Sequence, residues 1–209
     1  MPPYRQLMAV DPSLTCSGWA LFSVVGGVLL SVGKLRGLGP SISMALRLEK
    51  LQGDIGRVLE GLGLGEEDVL VCEAPTTMRD PHNAIKVEQV RGLFESLARA
   101  RGVVVPGRIN PRTVQYEVMG LRGKQLVRAE VKSAALRTVE YLYAQPLAQM
   151  GLTDLSKHQD IVDAILIGRL ALVRLENARN GGGPLESNFE AQAQQNRRSW
   201  RVKACGVSD

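Results

Sequence analysis

The sequence is short of cysteine, of histidine and of long apolar runs, and each shortage removes a class of protein. Its three cysteines (Cys16, Cys72, Cys205) are odd in number and lack metal-ligand spacing. They therefore argue against a disulfide framework and a zinc site, and they suit a reducing compartment. No stretch reaches the roughly 20 apolar residues that a membrane helix needs. The longest candidate, Leu21 to Val32, is broken by Ser23 and Gly26-Gly27 and reads as a hairpin. The opening Met-Pro-Pro-Tyr-Arg-Gln has no signal-peptide apolar core. These features predict a cytoplasmic protein, of a bacterial cell or of a host cell if phage-encoded, with no membrane partner.

What is present is an apolar fraction of 44% in 209 residues, enough for one compact core with a tail. The net charge of +5 is unevenly placed. Eight basic residues lie between Arg99 and Lys132, opposed only by Glu117 and Glu130. Such a local excess suits a polyanion, although most basic stretches are simply solvated faces.

The chain opens β-β-β, with strands over Leu7 to Val10, Trp19 to Val25 and Val28 to Leu35 and a two-residue Gly26-Gly27 turn. Ser43 caps a helix whose apolar residues fall at Met44, Leu48, Leu51, Ile55 and Val58; Gly61, Gly63 and Gly65 stop it. Val69 to Cys72 has the continuous apolar pattern of a central strand. After a loop over Ala74 to Asn83, a second helix (Ala84 to Ala100) sets Val90, Leu93, Phe94 and Leu97 on one face. Val103 to Val105 forms the last strand, and Asn110-Pro111 starts another helix. Two more helices are expected over Ala129 to Tyr143 and Gln159 to Glu176. Residues 1–176 thus form the predicted domain. Residues 177–209 read as a flexible Gly/Gln-rich tail ending in the basic run Arg197 to Lys203 with Trp200.

The most informative residues are four carboxylates. Asp11 and Glu73 each end an apolar run, and Asp160 and Asp163 sit one helical turn apart. Burying an unpaired charge costs several kcal/mol or more, so buried strands should not finish on bare carboxylates. Individually each has a structural explanation: a turn at Asp11-Pro12-Ser13, a surface strand end at Glu73, helix-dipole acids at Asp160 and Asp163. Together they point to a pair of Mg²⁺ or Mn²⁺ ions held by oxygen ligands, able to activate water against a phosphodiester. Asp11 is the expected bridge, Glu73 and Asp163 the expected ligands, and Asp160 ligates or acts through water. His158 is a possible assisting base, with a cap-like histidine as its structural alternative. His82 stands in the loop expected before the second helix.

Three strands, a helix, then alternating strand and helix describe an α/β ribonuclease-H-like fold. Its mixed five-stranded sheet, three antiparallel strands plus two parallel, is flanked by helices. At these residues the sequence resembles the RuvC family of Holliday junction resolvases. The resemblance rests on Asp11-Pro12 followed by Gly18-Trp19, on Glu73, on Asp160-Ile-Val-Asp163-Ala164, and on Gln89, Arg91 and Gly92 in the second helix. It implies a homodimer that binds four-way junction DNA and cuts it symmetrically with Mg²⁺ or Mn²⁺, two ions per site. It also implies backbone contacts from Arg112, Arg122, Lys124, Arg128 and Lys132. The second helix is the expected part of the dimer interface. One departure stands out. Family members often carry an aromatic wedge just after the glutamate, where this chain has Thr76, Thr77 and Met78. Met78 is the candidate replacement.

Other readings are a nuclease acting on RNA–DNA hybrids or other branched DNA, for which Glu49 on the first helix would supply a ligand, and a non-catalytic DNA-binding protein. An actin-like ATPase would need a second copy of the first-strand motif, which the sequence lacks.

Overall fold

The structure is a computed structural model that describes residues 4–75, 81–122, 127–181 and 183–189. Five strands form one sheet in the order β3-β2-β1-β4-β5. These are β1 (Gln6–Asp11), β2 (Cys16–Ser23), β3 (Leu29–Arg36), β4 (Asp68–Glu73) and β5 (Arg108–Ile109). β1 runs antiparallel to β2 and parallel to β4, β3 is antiparallel to β2, and β5 is parallel to β4. The α/β, ribonuclease-H-like architecture expected from the element order is what the chain adopts.

Side chains alternate between the two faces of a strand. On β1 and β4, Met8, Val10, Leu70 and Cys72 pack with Leu51, Ile55, Leu59, Val90, Phe94 and Ala98. The helices on that face are α1 (Met44–Gly61) and α2 (Pro81–Arg99). Leu7, Ala9, Val69 and Val71 pack on the opposite face, against Ile161, Ile165 and Leu166. That layer holds α5 (Gln159–Gly181), with α4 (Arg128–Gln149) beside it, and the one-turn α3 (Pro111–Thr113) precedes α4 in the chain. Continuing the alternation by one step puts Asp11 and Glu73 on the α5 side.

A glycine sets how closely α5 approaches. Gly18 lies opposite Asp11 in the β1–β2 register. A Cβ on Gly18 would stand 1.9 Å from the backbone oxygen of Asp160. Only a residue without a side chain lets the start of α5 rest on the end of the sheet.

Several boundaries differ from expectation. The β2–β3 connection is a four-residue turn over 24–27, closed by the Ser23 amide donating to the Val28 carbonyl at 2.8 Å; Gly26 and Gly27 supply its positive φ. Helix α2 begins at Pro81, so His82 and Asn83 are helical and not part of a loop. Proline suits a first helical turn, whose amides have no intrahelical acceptor. The expected strand at Val103 to Val105 is reduced to a single bridge between Val104 and Val69. Pro106 has no amide to extend the ladder, and pairing resumes at Arg108–Ile109. The backbone of α4 breaks at Tyr143 (φ −135°), where the helix was expected to end, and a further helical stretch carrying Pro146 follows. Packing also continues past residue 176: α5 runs to Gly181, and Ala178, Leu185 and Phe189 are buried. The basic run Arg197 to Lys203 lies outside the described residues, as do Met78 and Lys124. Among the described residues no helix is long and apolar enough to cross a membrane.

Candidate active site

The parallel pairing of β1 with β4, in which Val10 faces Cys72, carries both strands out at the same edge. Asp11 and Glu73 end them side by side, half-buried beneath the first turns of α5. Asp163, one turn into α5, completes the group. The structure brings these three expected residues into one electrostatic cluster.

Their mutual influence is large. Burial first, then the charges of Glu73, Asp163 and Asp160, hold the Asp11 carboxyl well above the usual carboxylate range, against a smaller opposing pull from Arg91. Burial pushes Glu73 up to about 7; the charge of Asp163 adds to this, and Arg91 and a side-chain hydrogen bond with Asp11 oppose it. Asp163 is raised to about 6 by burial; the Asp160 charge adds to it, while a hydrogen bond from Gln159 and the charges of Lys132 and Arg128 counter it. Buried carboxylates that lift one another are groups short of positive charge.

Asp160 is placed differently. Its carboxylate pairs with Lys34 on β3 at 3.1 Å, and Lys34 also donates to the Lys157 carbonyl at 3.1 Å. Cys16 forms a side-chain hydrogen bond with Asp160 as well. Asp160 therefore faces the β2–β3 side of the cluster. Among the described residues, no three His, Cys, Asp or Glu side chains are drawn into a ligand cage. Asp11 instead hydrogen-bonds Glu73, and Asp160 turns to its lysine. The donor set itself, all carboxylate oxygen and partly withdrawn from water, fits a hard divalent cation such as Mg²⁺ or Mn²⁺.

His158 stands at the start of α5, where its backbone carbonyl accepts from the Ile161 and Val162 amides at 3.0 and 3.1 Å. That is the cap-like placement. Its Nδ1 is buried, without a hydrogen-bond partner among the described residues. Glu49 is exposed on α1, in the helix layer across the sheet from α5, so it does not join the cluster.

A cavity of about 200 Å³ opens beside the acids, lined by Glu73, Asp163, Gln159, Arg128 and Lys132 on its polar side and by Val114, Met119 and Leu166 on its apolar side. Arg112 and Arg122 are exposed on the segment before α4, and the Arg122 guanidinium stands 5.5 Å from the centre of the Tyr116 ring.

Three contributors escaped the sequence reading. Gln159 Nε2 donates to Asp163 Oδ1 at 2.9 Å, a pairing that the i, i+4 spacing signals. Lys34 had no local signal, because its partner lies far along the chain. Arg91 was noticed only as part of a resemblance; the structure buries it completely (1% exposed) against the Glu73 backbone.

The sequence and the fold have counterparts. The crossover junction endodeoxyribonuclease RuvC of Rhodospirillum rubrum is 29% identical over 151 residues, 68% of this chain and 86% of the relative. The chain is thus similar in sequence to a RuvC enzyme over most of that enzyme's length. Thermus thermophilus RuvC superposes with a TM-score of 0.61 at 20% identity, over 84% of this chain and 96% of its own. The same protein solved with a Holliday junction substrate gives 0.59 at 19% identity, over 85% and 97%. The fowlpox virus Holliday junction resolvase gives 0.53 at 12% identity, over 81% and 99%. No family model matches the chain. The solved structures share its fold.

Proposed function

We propose that this chain is a divalent-metal-dependent endonuclease that binds four-way DNA junctions as a homodimer and resolves them by symmetric phosphodiester hydrolysis. The observation that carries the proposal is the convergence of Asp11, Glu73 and Asp163 at one edge of the sheet, with Arg128 and Lys132 lining the adjoining cavity. The likeness to a named junction endonuclease supports the choice of substrate.

In this reading Asp11, Glu73, Asp163 and Asp160 hold two Mg²⁺ or Mn²⁺ ions. Bound there, the ions would supply an activated water and neutralise charge on the leaving oxygen. The chain's own groups do the rest. Arg128 and Lys132 draw a phosphodiester into the cavity beside Asp163. Arg112 and Arg122 extend this basic track, as does Lys124 beyond the described residues; such contacts fix DNA without reading its sequence. Gln159 holds the Asp163 carboxylate in one orientation. His158 is the assisting base in this reading, because its Nδ1 has no hydrogen-bond partner among the described residues. The outer face of α2, where Ile85 is 58% exposed, is the proposed dimer surface.

The test is cleavage of a labelled four-way junction in Mg²⁺ and Mn²⁺, beside linear duplex and an RNA–DNA hybrid. The proposal expects paired symmetric nicks in the junction alone, absent with Asp11→Asn. Cutting of the hybrid in preference to the junction would replace the substrate, and junction binding without cutting in either metal would leave a structural binder.

A further inference from the structure

The largest side chain that the structure buries completely is charged. Arg91 of α2 is 1% exposed, yet it carries a guanidinium into the layer between α2 and the sheet. Burying a charge costs several kcal/mol unless the surroundings repay it. Packing alone does not explain an arginine here, since apolar neighbours on the same helix face, Val90 and Phe94, fill the core without that cost.

The contacts of Arg91 show where its charge is directed. Its Nε donates to the backbone carbonyl of Glu73 at 2.6 Å. That carbonyl belongs to the last residue of β4, where sheet pairing ends with Ile109. Its Nη1 is paired with Glu88, one turn earlier on α2. Glu88 also accepts from Arg108 Nη1 at 2.6 Å, and Arg108 Nε bonds Glu95 at 2.7 Å. Arg108 lies on β5, so the network ties α2 to both neighbouring strand ends.

We infer that Arg91 is a positioning residue for the carboxylate site: it clamps the end of β4 so that Glu73 faces Asp11 and Asp163, and it fixes one positive charge beneath three acids. This rests on the reading of those acids as the cation site. A lysine cannot reproduce the clamp, because one ammonium on a flexible stem lacks the planar fork that bonds a carbonyl and a carboxylate from opposite edges. The attraction of the guanidinium for Asp11 and Glu73 agrees with this placement. Glu88 is the weaker half of the device, being 38% exposed, and it holds Arg91 from the solvent side.

The experiment measures Mn²⁺ affinity of the full chain by electron paramagnetic resonance of free Mn²⁺, alongside melting temperature and junction cleavage. The variants are Arg91→Lys, Glu88→Gln, Glu73→Gln and Arg91→Lys combined with Glu73→Gln. Arg91→Lys should weaken Mn²⁺ binding by about tenfold, the lower end of what loss of a group supporting a metal ligand costs. Glu88→Gln, which removes an exposed anchor and keeps the fold, should weaken it in the same direction but less. In the Glu73→Gln background Arg91→Lys should have no further effect on Mn²⁺, since its influence runs through Glu73. Unchanged Mn²⁺ affinity in Arg91→Lys, or equal losses with and without Glu73, would overturn the inference and leave Arg91 a packing residue. If the wild-type chain binds Mn²⁺ in an Arg91-dependent way yet cuts no junction, the substrate reading fails and the positioning role stands. A wild-type chain that binds no Mn²⁺ overturns both.

Discussion

Asp68 and Glu73 stand at opposite ends of β4, both acidic and both withdrawn from water, in unlike surroundings. Asp68 is fully buried and fully provided for. Arg5 approaches through Nε at 3.1 Å and Nη2 at 2.7 Å, and the amides of Gln6 and Gly65 donate to it at 3.1 and 2.9 Å. Those bonds join the start of β1, the turn after α1 and the start of β4 into one corner. Glu73 meets acids in place of donors: Asp11 hydrogen-bonds it, Asp163 repels it, and the buried guanidinium of Arg91 bonds its backbone carbonyl, not its carboxylate. A buried acid with its hydrogen-bonding capacity filled is a structural element. One left among other acids is held at a cost in stability, which is the pattern expected of a functional site.

The difference can be broken from either end. The largest expected effect is at Glu73. Glu73→Gln should lower junction cutting by about a thousandfold, the scale of removing one electrostatic stabiliser from a preorganised site, while the metal-free melting temperature holds or rises. Asp68→Ala should do the opposite. It strands the Gln6 and Gly65 amides, at about 1–3 kcal/mol for each buried unpaired group, and so lowers denaturant stability by about 2–6 kcal/mol in total. Cutting per folded molecule should survive. Comparable activity losses in the two variants would erase the distinction.

Gly18→Ala comes next and acts on the geometry linking the two layers. Its methyl group would collide with the Asp160 backbone, so α5 must shift. The expected cost is about 1–3 kcal/mol, typical of overpacking, with a loss of cutting greater than that destabilisation explains. A variant as active as wild type would show that α5 need not sit where the structure has it.

The smallest expected effect is in the pH dependence of metal-free stability. Asp11, Glu73 and Asp163 keep their protons to higher pH in the folded chain than in the unfolded one. The folded state therefore binds more protons between the ordinary carboxylate range and about 7, the value reached by Glu73. Stability must fall as pH rises through that window. Melting temperature should drop across it by several degrees, given about 2–4 °C per kcal/mol for a chain of this size. Asp11→Asn should flatten the slope, and an unchanged slope would remove Asp11 from the coupled group.

How much of this was legible in the sequence follows from how local each signal is. Asp11 and Glu73 could be read because each terminates an apolar run, and their common face follows from strand alternation once β1 and β4 are neighbours. Helix α1 was legible from its Ser43 cap and its apolar period. The last strand was misplaced because Val103 to Val105 has strand composition, while pairing is decided by the missing amide of Pro106. The end of the fold was set too early because Gly181 to Pro184 looks like a linker, yet Leu185 and Phe189 return to the core beyond it. Lys34 and the structural role of Arg91 were invisible for a shared reason: Asp160 and the Glu73 carbonyl that they bond lie well apart from them in the sequence, and a charged residue announces nothing about its burial. Spacing places Asp160 and Asp163 on one helical face, Asp163 as a ligand and Asp160 as a ligand or a group acting through water; the structure pairs Asp160 with Lys34 and sets Asp163 in the acid cluster.

The central claim is that the acids at the end of β1, β4 and the start of α5 form a cation site, and the most direct test is Mn²⁺ titration of the full-length wild-type chain beside Asp11→Asn, with melting temperature recorded for both. The wild type should bind Mn²⁺ saturably with a rise in melting temperature, and Asp11→Asn, whose metal-free form is at least as stable, should show no such binding. Equal Mn²⁺ binding by the two chains, or none by either, would contradict it.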